Sequence, residues 1–265
     1  MVFGGFQKLT LLDYPSKVAA ILFTKGCNFK CPFCHNAVFV NKLNESETYT
    51  EEYILDYLKK RKGILDGLCI SGGEPLLNDE IFEFIKKVKD IGYSIKLDTN
   101  GSFPDKLKLL INNKLIDYVA MDFKNSLDKY PLTIGCNNIN IDDVIKSIDL
   151  LLEEKIDYEF RTTVTDNFHT PFDIEKICQK IKGAKKYFLQ NFVDSGNIIG
   201  ENIRPVSKDN LNEMLLCAKK FVKNAQIRGW NIWLFTIYRS SFLQKHNILC
   251  FLLTKNTKCV RMMLI

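Results

Sequence analysis

Three cysteines, Cys27, Cys31 and Cys34, lie within eight residues of one another in the pattern C-x3-C-x2-C. Thiolates this close together converge on one metal centre if the backbone loops around it. Three thiolates fill three corners of a tetrahedral or cubane site and leave one position open, which is what a reacting ligand needs. A site closed by four thiolates would be structural or would carry electrons. The spacing therefore indicates a metal centre that accepts a ligand.

Four kinds of site fit this stretch. The sequence from Cys31 to His35 reads C-x-x-C-H, the spacing of c-type haem attachment, and the pair Cys31 and Cys34 resembles a redox dithiol. The three cysteines together with His35 match the ligands of a structural zinc. The fourth kind is a [4Fe–4S] cluster whose unique iron binds S-adenosylmethionine. The cysteines by themselves favour the cluster and leave the other three kinds open.

The composition bounds the size and location of the protein. The chain has 265 residues, of which 46% are hydrophobic, enough for one large domain or two small ones. Its nine cysteines do not form the regular framework of a secreted protein, and residues 1–7 lack the segments of a signal peptide. We therefore expect a cytoplasmic protein, in which clustered cysteines bind metal or do chemistry. Haem attachment needs an exported apoprotein and fits this location poorly.

The net charge of +6 is concentrated at the carboxyl end of the chain. Five of the 37 basic residues and none of the 31 acidic residues lie in residues 230–265, which leaves +1 for residues 1–229. We accordingly expect no nucleic-acid partner. The uncharged runs in residues 230–265 are too short to cross a bilayer, so we expect no membrane span. This change in composition predicts one domain over residues 1–229 and a C-terminal extension of uncertain origin over residues 230–265.

Apolar runs alternate with amphipathic helical patterns six times along the chain. The predicted strands are residues 18–23, 67–71, 93–97, 118–121, 158–164 and 187–192. The predicted helices are residues 50–61, 79–91, 105–115, 142–154, 172–181 and 208–222. Strict alternation with helical crossovers requires a parallel sheet, so the fold class is α/β. Six such units form either an open doubly wound sheet or a partial (β/α) barrel.

Polar residues follow every predicted strand. The cysteine loop follows the first strand. At the ends of the second to sixth strands, in that order, lie Gly72, Gly73 and Glu74; Asp98 and Asn100; Asp122 and Lys124; Arg161; and Gln190. Charged residues embedded in apolar strands, such as Arg161, are unusual in a plain core. A barrel builds its active site at the carboxyl ends of its strands. The pattern therefore favours a partial (β/α)6 barrel with parallel strands.

Several motifs resemble those of the radical SAM superfamily, and within it those of the activating enzymes of glycyl radical enzymes. Residues 23–36 (F-T-K-G-C-N-F-K-C-P-F-C-H-N) resemble the cluster loop, residues 72–75 (G-G-E-P) a G-G-E motif, and residues 121–124 (M-D-F-K) a D-x-K segment. The opening G-G-F-Q-K, with L-D-Y-P at residues 12–15, is most similar to activating proteins of anaerobic ribonucleoside-triphosphate reductases. The resemblance covers about residues 6–229.

This resemblance implies that the three cysteines are the catalytic centre and hold three irons of one [4Fe–4S] cluster. The fourth iron would bind the amino and carboxylate groups of S-adenosylmethionine. Gly72 and Gly73 lack side chains, so with Glu74 they would let the backbone approach the methionine moiety and bind its amino group.

Further cofactor contacts follow from the same resemblance. They are Phe33 and His35 with the adenine, Asp122 and Lys124 with the ribose and carboxylate, Arg161 with the carboxylate, and Gln190 or Asn191 with the ribose or adenine. For Asp98 and Asn100, cofactor contact and ordinary turn capping are both open.

The implied reaction is reductive cleavage of S-adenosylmethionine followed by hydrogen abstraction from a glycine of a partner glycyl radical enzyme. Cys69 is the only cysteine between Cys34 and Gly72, so the eight-cysteine insert of some activating enzymes is absent and one cluster is expected. A flavodoxin or ferredoxin would then supply the electron. One rival is a radical SAM enzyme that acts on a small molecule, such as a 7-carboxy-7-deazaguanine synthase-like protein. A rival of another class is a non-catalytic zinc or iron–sulfur module.

Overall fold

The computed structural model describes residues 1–41, 43–44 and 46–229. The predicted extension, residues 230–265, lies outside this part of the chain, so the domain boundary stays a prediction. The strands are β1 (Val2–Phe3), β2 (Gly5–Thr10), β3 (Ala19–Thr24), β4 (Tyr49–Thr50), β5 (Gly67–Gly72), β6 (Ser94–Thr99), β7 (Tyr118–Asp122), β8 (Asp157–Val164), β9 (Tyr187–Asn191) and β10 (Ala225–Arg228). The helices are α1 (Ala37–Val40), α2 (Glu51–Lys60), α3 (Ile81–Ile91), α4 (Pro104–Asn112), α5 (Tyr130–Ile134), α6 (Ile141–Leu152), α7 (Pro171–Lys180) and α8 (Lys208–Lys219).

Eight strands form one sheet in the order β10-β9-β8-β7-β6-β5-β3-β2. Seven of them, β3 and β5 to β10, pair in parallel. Strand β2 pairs antiparallel with β3 at one edge, and β1 forms a separate antiparallel ribbon with β4. The sheet does not close on itself within the described residues. The predicted α/β class and partial barrel are confirmed.

The prediction of six parallel strands was nevertheless incomplete. Strand β10 adds a seventh, and β2 adds an antiparallel one. Both are edge strands, and edge strands need less apolar sequence than strands buried on both faces. Thr10 is the only buried residue of β2, and β10 is four residues long, so neither has a continuous apolar run like that of β3.

The helices begin and end where local sequence signals place them. The predicted helix over residues 50–61 is α2, and the Thr50 hydroxyl accepts a hydrogen bond from the Tyr53 amide as its N-cap. A capping box of Thr170 and Asp173 starts α7, and Pro171 occupies its first turn. None of the helices in the described residues is long and apolar enough to cross a membrane.

The two faces of the sheet differ because successive side chains of a strand point to opposite sides. One face, the packed face, carries buried apolar residues in register on neighbouring strands, namely Leu22, Ile70, Leu97, Val119 and Tyr158, and Phe160 lies on the same face of β8. They belong to the core that also includes buried residues of the helices. The alternate residues form the charged face, which consists of Lys96, Asp98, Asp122, Glu159 and Arg161. The candidate site lies where this face meets the carboxyl ends of the strands.

Candidate active site

The three cysteines lie on the segment between β3 and α1, and we term residues 26–36 of this segment the cluster loop. All three are free thiols; Cys31 is buried, and Cys27 and Cys34 are half-buried. The loop follows β3 directly, so the parallel sheet delivers it to the carboxyl end of the strands. This is the position that the sequence predicted for it.

Burial makes these thiols reluctant to ionise. It raises the pKa of Cys27 and of Cys31 to about 12, and it raises the pKa of Cys34 as well. The positive charge of Lys124 opposes this effect at all three thiols. A metal centre that binds the thiolates therefore has to displace their protons, with the ammonium group of Lys124 helping to stabilise the negative charge.

The donor set fits an iron–sulfur cluster. Thiolates are the ligands of such clusters, and hydrogen bonds to the sulfurs tune them. The Phe29 amide donates to Cys27 Sγ at 3.3 Å, and the Asn100 side chain donates to the same sulfur at 3.9 Å. In the described part of the chain, no three His, Cys, Asp or Glu side chains are placed to hold one metal ion. A [4Fe–4S] cluster binds each thiolate at a different iron and does not require the sulfurs to meet at one point.

Gly72 and Gly73 bring the end of β5 against the start of the cluster loop. Gly72 has φ of +115°, and a Cβ on Gly73 would lie 1.8 Å from the carbonyl oxygen of Gly26. Only glycine allows both the backbone angle and this approach. The Glu74 amide then donates to the Gly26 carbonyl at 2.8 Å, and the Asn36 side chain donates to the Gly72 carbonyl at 2.8 Å. The G-G-E segment thus binds the cluster loop at both of its ends.

Glu74 is fully buried, and its carboxylate accepts three hydrogen bonds. The donors are the Leu76 amide at 3.1 Å, the Thr99 hydroxyl at 2.8 Å and the Asn100 amide at 2.7 Å. Burial raises the pKa of Glu74 to about 7, although these donors oppose the rise. Glu74 therefore joins the ends of β5 and β6, while its predicted contact with the cofactor stays a prediction.

Asn100 is a link between β6 and the cluster loop. Its side-chain nitrogen Nδ2 donates to Asn28 Oδ1 at 2.9 Å, and its side-chain oxygen Oδ1 accepts from the backbone amide and the hydroxyl of Ser102. Asn28 in turn donates to the Ser102 hydroxyl at 2.8 Å. Both roles considered for Asn100 are thus compatible with its position, since it caps its own turn and also contacts a cluster cysteine.

Asp98, Asp122, Lys124 and Arg161 form a continuous row of charges across β6, β7 and β8. Arg161 donates to Asp122 at 2.8 Å and to Asp98 at 3.3 Å, and Lys124 donates to Asp122 at 3.1 Å. Burial opposes the ionisation of Asp122, but the charges of Arg161 and Lys124 outweigh it and hold the pKa of Asp122 well below its usual range. The structure therefore brings together four residues that the sequence had placed at the ends of three separate strands.

The other predicted cofactor contacts lie close to the cluster loop or within it. Phe33 is buried against Phe168 and His169, with ring centroids 5.9 and 6.1 Å away. His35 stacks on Phe192 at 5.3 Å, and its Nε2 is 2.7 Å from the carbonyl oxygen of Val193. Gln190 is half-buried at the end of β9. Their contacts with a cofactor stay predictions.

Sequence reasoning missed two buried groups that shape this site. Lys96 is 1% exposed and forms an ion pair with Asp98. The row of charges therefore extends beyond Asp98 to Lys96, which the sequence analysis did not include. His169 accepts from the Thr165 amide at Nδ1, so its Nε2–H donates to the Lys124 carbonyl at 2.8 Å. A lysine inside an apolar strand was a usable signal for Lys96; nothing in the local sequence marks His169.

Comparison with known proteins agrees with this geometry. Residues 21–182 match the radical SAM superfamily. A Methanocaldococcus jannaschii protein assigned to the glycyl-radical enzyme activating enzymes is 36% identical over 236 residues, covering 86% of this chain and 96% of that protein. The pyruvate formate-lyase-activating enzyme of Clostridium pasteurianum is 27% identical over 199 residues, covering 71% of this chain and 82% of that enzyme.

A solved structure shows the same fold. Streptococcus suis SuiB bound to S-adenosylmethionine superposes with a TM-score of 0.61 at 16% sequence identity. The superposition covers 81% of this chain and 50% of SuiB. The sequence matches show that the chain belongs to the radical SAM superfamily, whose enzymes use a [4Fe–4S] cluster and S-adenosylmethionine, and within it to the glycyl-radical enzyme activating family.

Proposed function

We propose that this protein generates the glycyl radical of a partner enzyme, and that the partner is an anaerobic ribonucleotide reductase. The observation that carries the proposal is one juxtaposition. Three free thiols on one loop lie against the G-G-E segment and beside the D-x-K segment, at the carboxyl end of a parallel sheet. The similarity to activating enzymes supports a protein substrate, and the opening motif of residues 4–15 supports this particular partner.

In this proposal Cys27, Cys31 and Cys34 hold the cluster, and Lys124 stabilises their thiolate charge. When bound, the cluster supplies the electron that cleaves S-adenosylmethionine, and the radical so produced takes a hydrogen atom from glycine. The chain's own contribution is to position the two cofactors and to exclude water. Buried Gly72 and Glu74, half-buried Gly73 and the half-buried end of β9 serve that purpose.

The charge row is suited to a zwitterionic ligand. Lys96, Arg161 and Lys124 carry three positive charges, and Asp98 and Asp122 carry two negative ones. Lys124 lies at the end of the row beside the cysteines and is paired with Asp122. We infer that Lys124 and Arg161 also attract the carboxylate of S-adenosylmethionine, since a hydrogen bond from a cation to a carboxylate is stronger than a neutral one. A cytoplasmic location and a flavodoxin or ferredoxin as electron donor complete the proposal.

The first test is cleavage of S-adenosylmethionine by the protein alone. Purified anaerobically, reconstituted with iron and sulfide and reduced with dithionite, the wild type should form 5′-deoxyadenosine. Cys31→Ala should abolish this product because one iron loses its ligand, whereas Cys217→Ala on α8 should retain it. A wild type that loads iron but forms no 5′-deoxyadenosine would contradict radical SAM chemistry and favour a non-catalytic iron–sulfur module.

The second test concerns the substrate. Adding an anaerobic ribonucleotide reductase should produce the doublet electron paramagnetic resonance signal of a glycyl radical, together with one 5′-deoxyadenosine per radical. Cleavage that gives no radical on this partner, or on other glycyl radical enzymes, would instead favour a small-molecule substrate of the 7-carboxy-7-deazaguanine synthase kind.

A further inference from the structure

Cys31 is the most deeply buried of the three cysteines, and its two sequence neighbours each contact a glycine from a distant part of the chain. Lys30 precedes it and lies against Gly135, the residue that ends α5. Pro32 follows it and lies against Gly200, in the loop between β9 and α8. The cysteine is therefore held between two glycine backbones that are remote from it in sequence.

The contact at Gly200 is a close backbone approach with a hydrogen bond. The Gly200 amide donates to the Pro32 carbonyl at 2.7 Å. A Cβ on Gly200 would lie 2.7 Å from Pro32 Cβ, 3.1 Å from its Cα and 3.2 Å from its carbonyl oxygen. The proline ring is rigid, so the neighbour that has to move is the backbone around Cys31.

The contact at Gly135 has the same character on the other side. Lys30 donates its amide to the Ile134 carbonyl at 2.8 Å. A Cβ on Gly135 would lie 2.5 Å from the Lys30 carbonyl oxygen and 3.2 Å from its carbonyl carbon. Gly135 also has φ of +64°, which a residue with a side chain adopts at a cost. The close approach requires glycine at this position, and the positive φ favours it.

We infer that Gly135 and Gly200 are positioning residues for the cluster: they form a clamp that fixes the backbone of residues 30–32 and thereby the direction of the Cys31 thiolate. The inference rests on the assignment of Cys31 as a cluster ligand in the proposed function. Groups that orient a metal ligand typically change metal affinity by about 10- to 100-fold when they are altered. The clamp thus makes cluster retention depend on two loops that contribute no ligand.

A matched control is available in the same loop. Gly196 lies four residues before Gly200, has φ of +75°, and would meet nothing within 4 Å if it carried a Cβ. Gly196→Ala therefore introduces backbone strain without a collision. Gly200→Ala introduces the collision without a positive φ. A purely structural role for Gly200 would lower the stability of the apoprotein without a selective effect on the cluster.

The experiment measures cluster retention and apoprotein stability in parallel. Wild type, Gly200→Ala, Gly135→Ala and Gly196→Ala are reconstituted anaerobically, and the rate of iron transfer to a chelator is followed by absorbance. We expect Gly200→Ala and Gly135→Ala to lose iron about tenfold faster than wild type and Gly196→Ala. The urea midpoint of the apoprotein should be shifted no more in Gly200→Ala than in Gly196→Ala. Equal rates of iron loss in Gly200→Ala and Gly196→Ala would overturn the inference.

A second comparison keeps the test decisive if Gly200→Ala folds poorly. Pro32→Gly removes the nearest colliding atom, so the effect of Gly200→Ala on iron loss should be smaller in the Pro32→Gly background than in wild type. Additive effects would contradict the clamp. Failure of the wild type itself to take up iron would defeat the proposed function. Uptake without any difference among the variants would defeat the clamp alone.

Discussion

The packed face and the charged face alternate along the same strands, yet their side chains are held in different ways. On the packed face, residues such as Leu97 and Phe160 are fully buried against apolar neighbours. On the charged face, Asp98 and Arg161 are almost as deeply buried, but they face charges of opposite sign. Apolar burial is non-directional and stabilises in proportion to area, whereas a buried ion pair recovers only part of its desolvation cost. The packed face therefore supplies stability, and the charged face places charged groups at the candidate site.

The largest effect should come from truncating the packed face. Phe160→Ala removes a fully buried ring and should lower the free energy of unfolding by about 3–5 kcal/mol, because a cavity adds to the lost transfer free energy. Urea unfolding of the apoprotein measures it. Leu216→Ala, at a side chain that is 66% exposed, should change the free energy by less than about 0.5 kcal/mol. Similar losses in the two variants would contradict the assignment of the packed face.

On the charged face, removing one member of an ion pair should lower the free energy of unfolding more than removing both members. Lys96→Met leaves Asp98 with Arg161 as an ion-pair partner and with the Ser71 hydroxyl as a hydrogen-bond donor, and it should cost about 3 kcal/mol in the free energy of unfolding. Lys96→Met/Asp98→Leu removes both charges and leaves the net charge of the row unchanged, so it should cost less than Lys96→Met alone. Urea unfolding of the two variants checks this. If the double variant were less stable than the single variant, the Lys96–Asp98 pair would stabilise the fold more than the apolar side chains that replace it.

The smallest effect should appear as a pH dependence at the far end of the charged face. Arg228 forms two hydrogen bonds with Glu159, at 2.7 and 2.9 Å. Burial alone would raise the pKa of Glu159, but Arg228 holds it below the ordinary value of 4.5. The pair therefore stabilises the fold above pH 4.5, and this stability is lost as the pH falls through the lower folded-state pKa.

Glu159→Gln removes that titration. Its free energy of unfolding should fall short of the wild-type value by about 1 kcal/mol at pH 7, because Arg228 is about one-third exposed and partly screened. The difference should shrink as the pH falls below 4.5. Urea unfolding of the two proteins between pH 3 and pH 7 measures this difference. A difference that stays constant over this range would contradict a stabilising ion pair between Glu159 and Arg228.

Much of the architecture was readable from local sequence. Six of the seven parallel strands were predicted, because each is followed by a helical pattern in a regular β-α alternation. The helix over residues 50–61 was predicted from its period and its Thr50 cap. The edge strands β2 and β10 were missed because their pairing depends on a neighbour rather than on their own composition. Residues 230–265 were predicted as an extension and lie outside the described part of the chain.

The candidate site divides in the same way. Spacing along the chain was enough to identify the cysteine loop, the G-G-E segment and the polar residues at the end of each strand. These residues are either close together in sequence or recur once in each βα unit. Tertiary structure decided that Lys96 pairs with Asp98 in the charge row, that His169 donates to the Lys124 carbonyl, and that Gly135 and Gly200 lie on either side of Cys31. The physical reason is that a candidate metal ligand can be recognised from its residue type, whereas the groups that orient it can be recognised only from their distance to it. The distance between residues 31 and 200 is set by the whole fold.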